Sequence, residues 1–322
     1  SSIERLKKTA VGQQEIFAQL MNALEECAGK NSPDHTLFVG PPGIGKTHLI
    51  KLLNDKLSRT RSISSHYSLV MFPVDNHRIT SFILLLIELA RHLAEAEKGK
   101  LWRELLEKIE LEDDNKIICN LVVDALNKSH KKSRKRFLIL FENLDAFFDK
   151  HRSDRETVEE FTEFLSNCGP VTFIGTACTS VIDRSLLKCK PYNQFNITLI
   201  KELSLSQTRK LVCNHLKFDQ QTKLLSIFDD LTPKIQALYE LAGGNPRLIL
   251  LMYDLLTDES PKNIKTLFEN LLDRVTPYYH ERIRSLSQLD RALLATLASL
   301  RSGDNTQAKL AKALRITPQQ CS

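Results

Sequence analysis

An eight-residue segment of this chain reads Gly40-Pro41-Pro42-Gly43-Ile44-Gly45-Lys46-Thr47. It matches G-x-x-x-x-G-K-[ST], the pattern of a phosphate-binding loop. An apolar, β-prone run at 35–39 precedes it, and residues 48–57 carry apolar side chains at helical spacing after it. The sequence therefore places the loop between a strand and the first turn of a helix, where backbone N–H groups and the helix dipole face a phosphate group.

The residue types in this loop predict how a nucleotide would be held. The glycines let the backbone bend until successive N–H groups point at one phosphate. Lys46 is expected to reach the β- and γ-phosphates, and the hydroxyl of Thr47 is expected to ligate Mg²⁺. The predicted nucleotide contacts from this segment are Pro41, Pro42, Gly43, Ile44, Gly45, Lys46, Thr47 and His48.

The composition predicts a soluble globular protein of two or three domains, with 322 residues, 42% apolar and 26% charged. The longest apolar run, 82–87, is far shorter than the ~20 residues of a membrane span, so no membrane partner is expected. Seven cysteines without a C-x-x-C pair, and no signal peptide, predict a cytoplasmic protein. The net charge of +6 is compatible with nucleic acid binding but does not require it.

A second motif combines an apolar run with an acid. Residues 137–141 are predicted to form a buried strand, and Glu142-Asn143-Leu144-Asp145 follows it. We expect this strand to adjoin the phosphate loop, so that Glu142 holds the Mg²⁺ shell. The alternative is that Glu142 merely ends a buried strand.

The next catalytic position usually holds a second acid that orients the attacking water. Here it is Asn143, which cannot accept a proton, so we expect slow ATP hydrolysis. Asp145 is the nearest other acid, although a shift of two residues changes the direction that it faces on an extended segment.

The rest of the first two hundred residues alternates between strand and helix patterns. Thr176, at the tip of a predicted strand, is a candidate sensor of the γ-phosphate or the attacking water; alternatively its hydroxyl caps the next turn. A basic segment, 129–136, is expected to be a solvated surface loop, with a DNA or partner contact as the alternative. The other predicted strands are 67–74, 171–176 and 194–200, and the predicted helices include 81–95, 100–110 and 114–128.

Beyond residue 200 the pattern is helical throughout. In the segment 241–247, Leu-Ala-Gly-Gly-Asn-Pro-Arg, the glycines end one helix and the proline starts the next. Arg247 then falls in a first helical turn, where the helix dipole disfavours a cation. This indicates that its charge contacts an anion such as the nucleotide γ-phosphate. The alternative is an exposed or salt-bridged arginine.

The C-terminal residues have the layout of a helix-turn-helix. An apolar-rich helix is predicted at 287–300, a shorter one at 306–314, and Thr317-Pro318 would begin a third. The motif is expected to be truncated, because Ser322 comes within the first turn of that third helix. The alternative is a small helical hairpin with no role in DNA binding.

Together these residues resemble the AAA+ ATPases, and within them the origin-recognition-like and STAND-like branch, over about residues 5–300. The resemblance rests on Val11-Gly12-Gln13, the loop 40–47, the strand with Glu142, the Thr176 strand tip and the segment 243–247. It implies an α/β fold in which helices sandwich a five-stranded parallel sheet of order 5-1-4-3-2. The expected domains are a nucleotide-binding core at 1–200, an all-α lid at 201–285, and the start of a winged helix or helix-turn-helix at 286–322.

The resemblance also implies roles for single residues. Arg247 would be the second sensor, and Val11 and Gly12 would lie near the adenine. Arg184 is the nearest candidate for an arginine finger, which such proteins supply from a neighbouring subunit. Two positions depart from the family pattern: Asn143, and Gln13, where initiator proteins often have arginine.

The function implied is an ATP-binding, slowly hydrolysing switch that uses ATP or ADP with Mg²⁺. Such a switch would assemble with itself and engage DNA or a protein partner. The alternative is a STAND-type signalling scaffold that acts through protein contacts without binding DNA.

Overall fold

The computed structural model describes residues 2–28, 34–72, 79, 81–97, 100–150, 155–178, 189–253, 273, 276, 279–280, 283, 286–299, 306–314 and 316–317. Backbone contacts divide the chain into two compact units, Ser1–Leu250 and Leu251–Ser322. None of the helices in the described ranges is long and apolar enough to cross a membrane.

In the described ranges, strands alternate with single helices or groups of helices up to residue 199, and the elements after it are helices. The strands are β1 (Thr36–Gly40), β2 (Tyr67–Phe72), β3 (Arg136–Phe141), β4 (Val171–Cys178) and β5 (Asn196–Leu199). The helices are α1 (Ser2–Thr9), α2 (Gln14–Ala28), α3 (Lys46–Arg59), α4 (Arg61–Ser64), α5 (Phe82–Glu97), α6 (Lys100–Glu110), α7 (Asn115–Ser133), α8 (Leu144–Lys150), α9 (Arg155–Asn167), α10 (Leu205–Phe218), α11 (Thr222–Ser226), α12 (Thr232–Ala242) and α13 (Pro246–Met252).

The sheet has five parallel strands in the order β2-β3-β4-β1-β5. This confirms the predicted fold class and strand order. It also shows that β4 lies between β1 and β3, so the expectation that the Glu142 strand adjoins the phosphate loop's own strand is wrong. Because parallel strands need long crossover connections, helices cover both faces and the carboxyl ends of the strands meet at one edge.

Strand β3 shows how both faces of the sheet are buried. Phe137, Ile139 and Phe141 point into one apolar cluster. The alternate residues Leu138 and Leu140 point into another on the opposite face. Side chains of a strand alternate between the two faces, so an uninterrupted apolar run is what a strand inside a sandwich requires. This burial holds β3 rigidly and leaves its carboxyl end to present polar side chains.

The basic segment 129–136 differs from its predicted structure. Helix α7 continues to Ser133, and Arg136 is the buried first residue of β3, where its Nη2 donates to the carbonyl of Gly169 at 2.9 Å. The expected loop is therefore helix over 129–133, whereas residues 131–134 are exposed to solvent as expected. Cations in the last turn of a helix interact favourably with its dipole, which explains a helix that ends in lysines.

Ser204 caps the start of helix α10. The hydroxyl of Ser204 accepts the N–H of Gln207, whose side chain in turn accepts the N–H of Ser204. This reciprocal capping box satisfies two backbone donors at the helix start.

The second unit contains the helices Gln288–Ser299 and Gln307–Leu314, which contact each other. Ser287 caps the first, since its Oγ accepts the N–H of Asp290 at 3.1 Å. Pro318, the expected start of a third helix, lies outside the described residues. The predicted boundaries of the lid and the helix-turn-helix stay predictions.

Candidate nucleotide-binding site

The glycine-rich loop leaves β1 at Gly40 and enters α3 at Lys46. Gly43 has a φ of 80° and Gly45 a φ of 103°. This left-handed region is costly for residues with a Cβ and open to glycine. The two glycines therefore allow the loop to curl directly before the first turn of α3.

Lys46 lies inside the curl. Its Nζ donates to the carbonyl of Gly40 at 2.7 Å and to that of Pro41 at 3.1 Å. The Lys46 side chain is buried, as is Ile44, whereas Thr47 and His48 are exposed. The loop thus holds a buried cation at its centre, and the neighbouring Thr47 is accessible to solvent.

The tip of the loop contacts the turn at residues 243–247. The side-chain amide of Asn245 donates to the carbonyl of Pro42 at 3.0 Å, and the backbone N–H of Arg247 donates to the carbonyl of Gly43 at 3.3 Å. A Cβ at Gly43 would lie 2.9 Å from both Arg247 Cβ and Asn245 Oδ1. Glycine is therefore required at 43 for close approach as well as for its φ.

Asn245 has two roles in this contact. Its Oδ1 accepts the N–H of Arg247 at 3.0 Å and that of Leu248 at 3.4 Å, which caps α13. Its amide nitrogen holds the loop tip. The sequence pattern pointed to Arg247 as a site residue and not to Asn245, although an asparagine before a proline at a helix start is a capping signal. The side chain of Arg247 is exposed, and its γ-phosphate contact stays a prediction.

Two acids, one directly after β3 and one in α8, lie at the edge of the sheet where the phosphate loop leaves β1. Glu142, directly after β3, is 4% exposed, and Asp145 is 5% exposed. Between them, Asn143 has a φ of 54°, and its backbone N–H donates to the hydroxyl of Thr176 at 2.9 Å. Thr176 therefore positions the segment after Glu142. Its predicted sensor role stays a prediction.

Asp145 faces this edge because the chain after Glu142 is not extended. Helix α8 begins at Leu144, so Asp145 lies in a first helical turn and its Oδ2 accepts the N–H of Cys178 at 3.0 Å. Cys178 is the β4 residue paired with Gly40. Burial raises the pKa of Asp145, while the N–H of Cys178, nearby backbone N–H groups and the charge of Lys46 lower it.

The predicted adenine side lies near the start of α10. A Cβ at Gly12, whose φ is 80°, would lie 3.1 Å from Leu203 and 3.4 Å from the amide nitrogen of Gln207. The segment of Val11 and Gly12 thus packs on the capped end of that helix. The amide of Gln13 lies 3.3 Å from the position of a Cβ on Gly45, so Gln13 reaches the phosphate loop itself. Arg184, the predicted arginine finger, lies outside the described residues.

These residues fit a magnesium nucleotide. A cation held by glycine turns suits phosphates, and the exposed Thr47 hydroxyl and the Glu142 carboxylate are oxygen ligands suited to Mg²⁺. Among the described residues, no group of three His, Cys, Asp or Glu could hold a metal ion by itself. A magnesium ion here would therefore depend on the phosphates of the nucleotide for its other ligands.

Comparison with curated proteins gives short matches. The Holliday junction branch migration complex subunit RuvB of Chloroflexus aurantiacus is 41% identical over 56 residues, which are 17% of this chain and 16% of that protein. RuvB of Rickettsia africae is 44% identical over 48 residues, or 15% and 14% of the two chains. The match therefore spans only about a sixth of each relative.

Two solved structures resemble the fold over most of its length. The Aeropyrum pernix ORC1 protein in complex with DNA has a TM-score of 0.52 at 14% identity, covering 98% of this chain and 82% of that one. Drosophila ORC bound to DNA has a TM-score of 0.53 at 14% identity, covering 98% and 78%. At such identity the likeness shows the fold alone, which is that of ORC-like P-loop AAA+ proteins.

A family model described as AAA ATPase domain matches residues 9–174, about half of the chain. This range contains the residues 11–13, the phosphate loop, Glu142 and Asp145. From the glycine loop, the order of the five strands and this match, we conclude that the chain belongs to the AAA ATPase domain family.

Proposed function

We propose that this protein is an ATP-operated switch. ATP binds with Mg²⁺ at the loop 40–47, where Lys46 neutralises phosphate charge and Thr47 and Glu142 hold the metal ion. Arg247 contacts the γ-phosphate from the side of the helices that follow residue 200. The observation that carries the proposal is the direct contact between the loop tip and the turn that bears Asn245 and Arg247.

Through this contact, a change that the nucleotide causes in the loop can reach the helices after residue 200. Lys46 donates to two carbonyls of its own loop. Hydrogen bonds from a cation to an ionised phosphate are stronger than those to neutral carbonyls, so a bound nucleotide draws the ammonium group away from Gly40 and Pro41. The carbonyls of the next two residues, Pro42 and Gly43, are those held by the turn, which therefore responds to the rearranged loop.

Hydrolysis by this switch is slow. Asn143 replaces the acid that usually prepares the attacking water, and an amide cannot take its proton. We expect a turnover below ~10 s⁻¹, a typical value for enzymes. A slow reaction suits a protein whose ATP-bound state has to last long enough to engage a partner.

The proposed partners are a second copy of the chain and DNA. The structures of Aeropyrum ORC1 and Drosophila ORC named above contain DNA, and this chain carries a net charge of +6. If phosphate contacts hold the DNA, its affinity falls steeply as salt rises. An affinity that does not change with salt would rule out DNA held by phosphate contacts and favour a protein partner, as in the scaffold alternative.

Light scattering after size exclusion, with ADP and with a slowly hydrolysed ATP analogue, tests self-assembly.

Replacing Lys46 tests the nucleotide site. Lys46→Ala removes the buried cation, and calorimetry with ATP and Mg²⁺ should show affinity reduced about 100-fold or more, the loss expected for charge-assisted hydrogen bonds. Lys51→Ala, an exposed lysine on the same helix, is the matched control and should bind as the wild type does. Binding by Lys46→Ala within threefold of wild type would refute the site.

A further inference from the structure

Asp145 has a carboxylate oxygen with no evident structural use. The side chain is 5% exposed, and Oδ2 accepts the N–H of Cys178. Among the described residues, no group forms a hydrogen bond of normal geometry with Oδ1, which is fully buried, although the backbone N–H groups of Asp145 and Ala146 lie close enough to the carboxyl to lower its pKa. A buried carboxylate oxygen without a partner is costly, and such atoms in folded proteins call for a functional explanation.

This oxygen belongs to the phosphate loop's edge of the sheet. Cys178, which holds the other oxygen of Asp145, is paired across the sheet with Gly40. Gly40 is in turn the acceptor for the Lys46 ammonium group at 2.7 Å. The charge of Lys46 acts on Asp145, since it lowers the pKa of that carboxyl. The carboxylate therefore shares its surroundings with the cation that would neutralise a nucleotide's phosphates.

The other candidates for a base at this edge have different properties. Asn143 has no carboxylate that could accept a proton. Its backbone N–H donates to Thr176, which holds the residue in a left-handed turn. Glu142 is the other buried acid of this edge, and it sits where a magnesium ligand is expected. The remaining buried acid in the described ranges, Glu88, belongs to α5 and pairs with Arg91 at 2.5 Å.

We propose that Asp145 is the general base for ATP hydrolysis in this protein, in place of the acid that position 143 lacks. The inference rests on the proposed function. In the reaction, the oxygen of a water molecule forms a bond to the γ-phosphorus, and the bond from that phosphorus to the oxygen shared with the β-phosphate breaks. ADP keeps the bonding electron pair. The proton of the water passes to Oδ1 of Asp145 and from there to solvent.

The environment of Asp145 supports this assignment. Two carboxylates in different surroundings can divide the tasks of a site, one as metal ligand and the other as base. Burial raises the pKa of Asp145, and a carboxylate with a raised pKa is a better proton acceptor than an exposed one. The charged groups at this edge are Lys46 and Glu142, of which Lys46 opposes the rise.

The test is Asp145→Asn, because an amide oxygen can still accept the N–H of Cys178 while the proton acceptor is lost. Phosphate release in single turnover should fall about 100-fold or more, with ATP affinity within threefold of wild type. Nucleotide extracted from the variant after incubation should be ATP, whereas wild type should yield ADP. Asp124→Asn, an exposed aspartate on α7, is the matched control and should behave as wild type.

A second variant separates chemistry from structure. Adding Asn143→Glu to Asp145→Asn restores a carboxylate at the neighbouring position, and phosphate release should rise at least tenfold. A purely structural loss at 145 would not be repaired from 143. Asp145→Asn that binds ATP and releases phosphate within threefold of wild type would overturn the inference, as would a wild type that binds ATP without releasing phosphate. Both results leave the ATP switch standing, because that proposal is tested separately by ATP binding to wild type and to Lys46→Ala.

Discussion

The two ends of strand β1 are held in opposite ways. Just before its amino end, the buried ring of His35 donates from Nε2 to the carbonyl of Leu165 at 3.1 Å and accepts the N–H of Phe173 at Nδ1 at 3.0 Å. At its carboxyl end, the carbonyls of the phosphate loop are held by Lys46, Asn245 and the N–H of Arg247.

The difference indicates at which end of β1 a bound nucleotide would replace hydrogen bonds. Both ring nitrogens of the neutral His35 form hydrogen bonds, and the ring packs against Phe173 and Phe195, so a ligand offers it no stronger interaction. The ammonium of Lys46 does have one, because a phosphate is a stronger acceptor than a carbonyl. Strand β1 is therefore anchored before its amino end and carries exchangeable contacts at the other.

The largest effect is expected from Gly244→Ala, which breaks the turn at the exchangeable end. Gly244 has a φ of 72°, and a Cβ there would lie 2.4 Å from the backbone carbonyl oxygen of Leu203. Backbone strain and steric overlap together should lower the free energy of unfolding by about 3 kcal/mol or more. Urea unfolding followed by circular dichroism measures it.

Gly243→Ala is the control for that variant. Gly243 is also left-handed, with a φ of 56°, but a Cβ there would meet nothing within 4 Å. Gly243→Ala should lower the free energy of unfolding only by the backbone strain, about 1–2 kcal/mol. Equal losses in the two variants would show that the contact with Leu203 is unimportant.

A smaller effect is expected when the loop contact of Asn245 is separated from its capping role. Asn245→Asp keeps an oxygen to cap α13 but cannot donate to the carbonyl of Pro42 and sets a carboxylate oxygen against it, so stability should fall by about 1–3 kcal/mol. The link from loop to turn is lost. ATP should still bind, but the change that it causes in amide hydrogen exchange across 246–252 should shrink by half or more.

Asn245→Ala removes both interactions and should cost about 2 kcal/mol. If Asn245→Asp shows the same ATP-dependent exchange as wild type, the turn does not respond to the loop through this residue.

The smallest effect is expected at the anchored end, from the protonation of His35. Burial lowers the pKa of His35 below its ordinary value near 6.5, so below that pH the unfolded chain binds more protons than the folded one. The contribution of His35 to stability is thus fully present above pH 6.5 and falls as the pH drops towards the folded pKa, by at most about 1.4 kcal/mol per pH unit. Denaturant unfolding between pH 7.5 and 5 measures this slope.

His35→Asn should be less stable than wild type but should lose less stability on acidification. Part of the slope remains, since burial also lowers the pKa of His215. His66→Asn, at an exposed position, is the control and should keep the wild-type slope. An unchanged slope in His35→Asn would mean that His35 is not a source of the acid sensitivity.

The sequence alone determined the elements that depend on near neighbours. The glycine pattern at 40–47, with an apolar run before it and helical spacing after it, was enough to predict a strand, a phosphate loop and a helix. The apolar run at 137–141 predicted a buried strand for the same reason. The strand order came from a family resemblance, because a crossover can place a parallel strand at several positions in a sheet.

The tertiary structure decided which distant groups meet the loop. Asn245 holds Pro42 across 203 positions of sequence, and only the packing of the helices after residue 200 brings them together. Asp145 contacts Cys178 of β4 because α8 starts at Leu144 and turns its side chain towards that strand. Local pattern constrains backbone conformation within a few residues, whereas a binding site is made of side chains whose closeness depends on the folding of the whole chain.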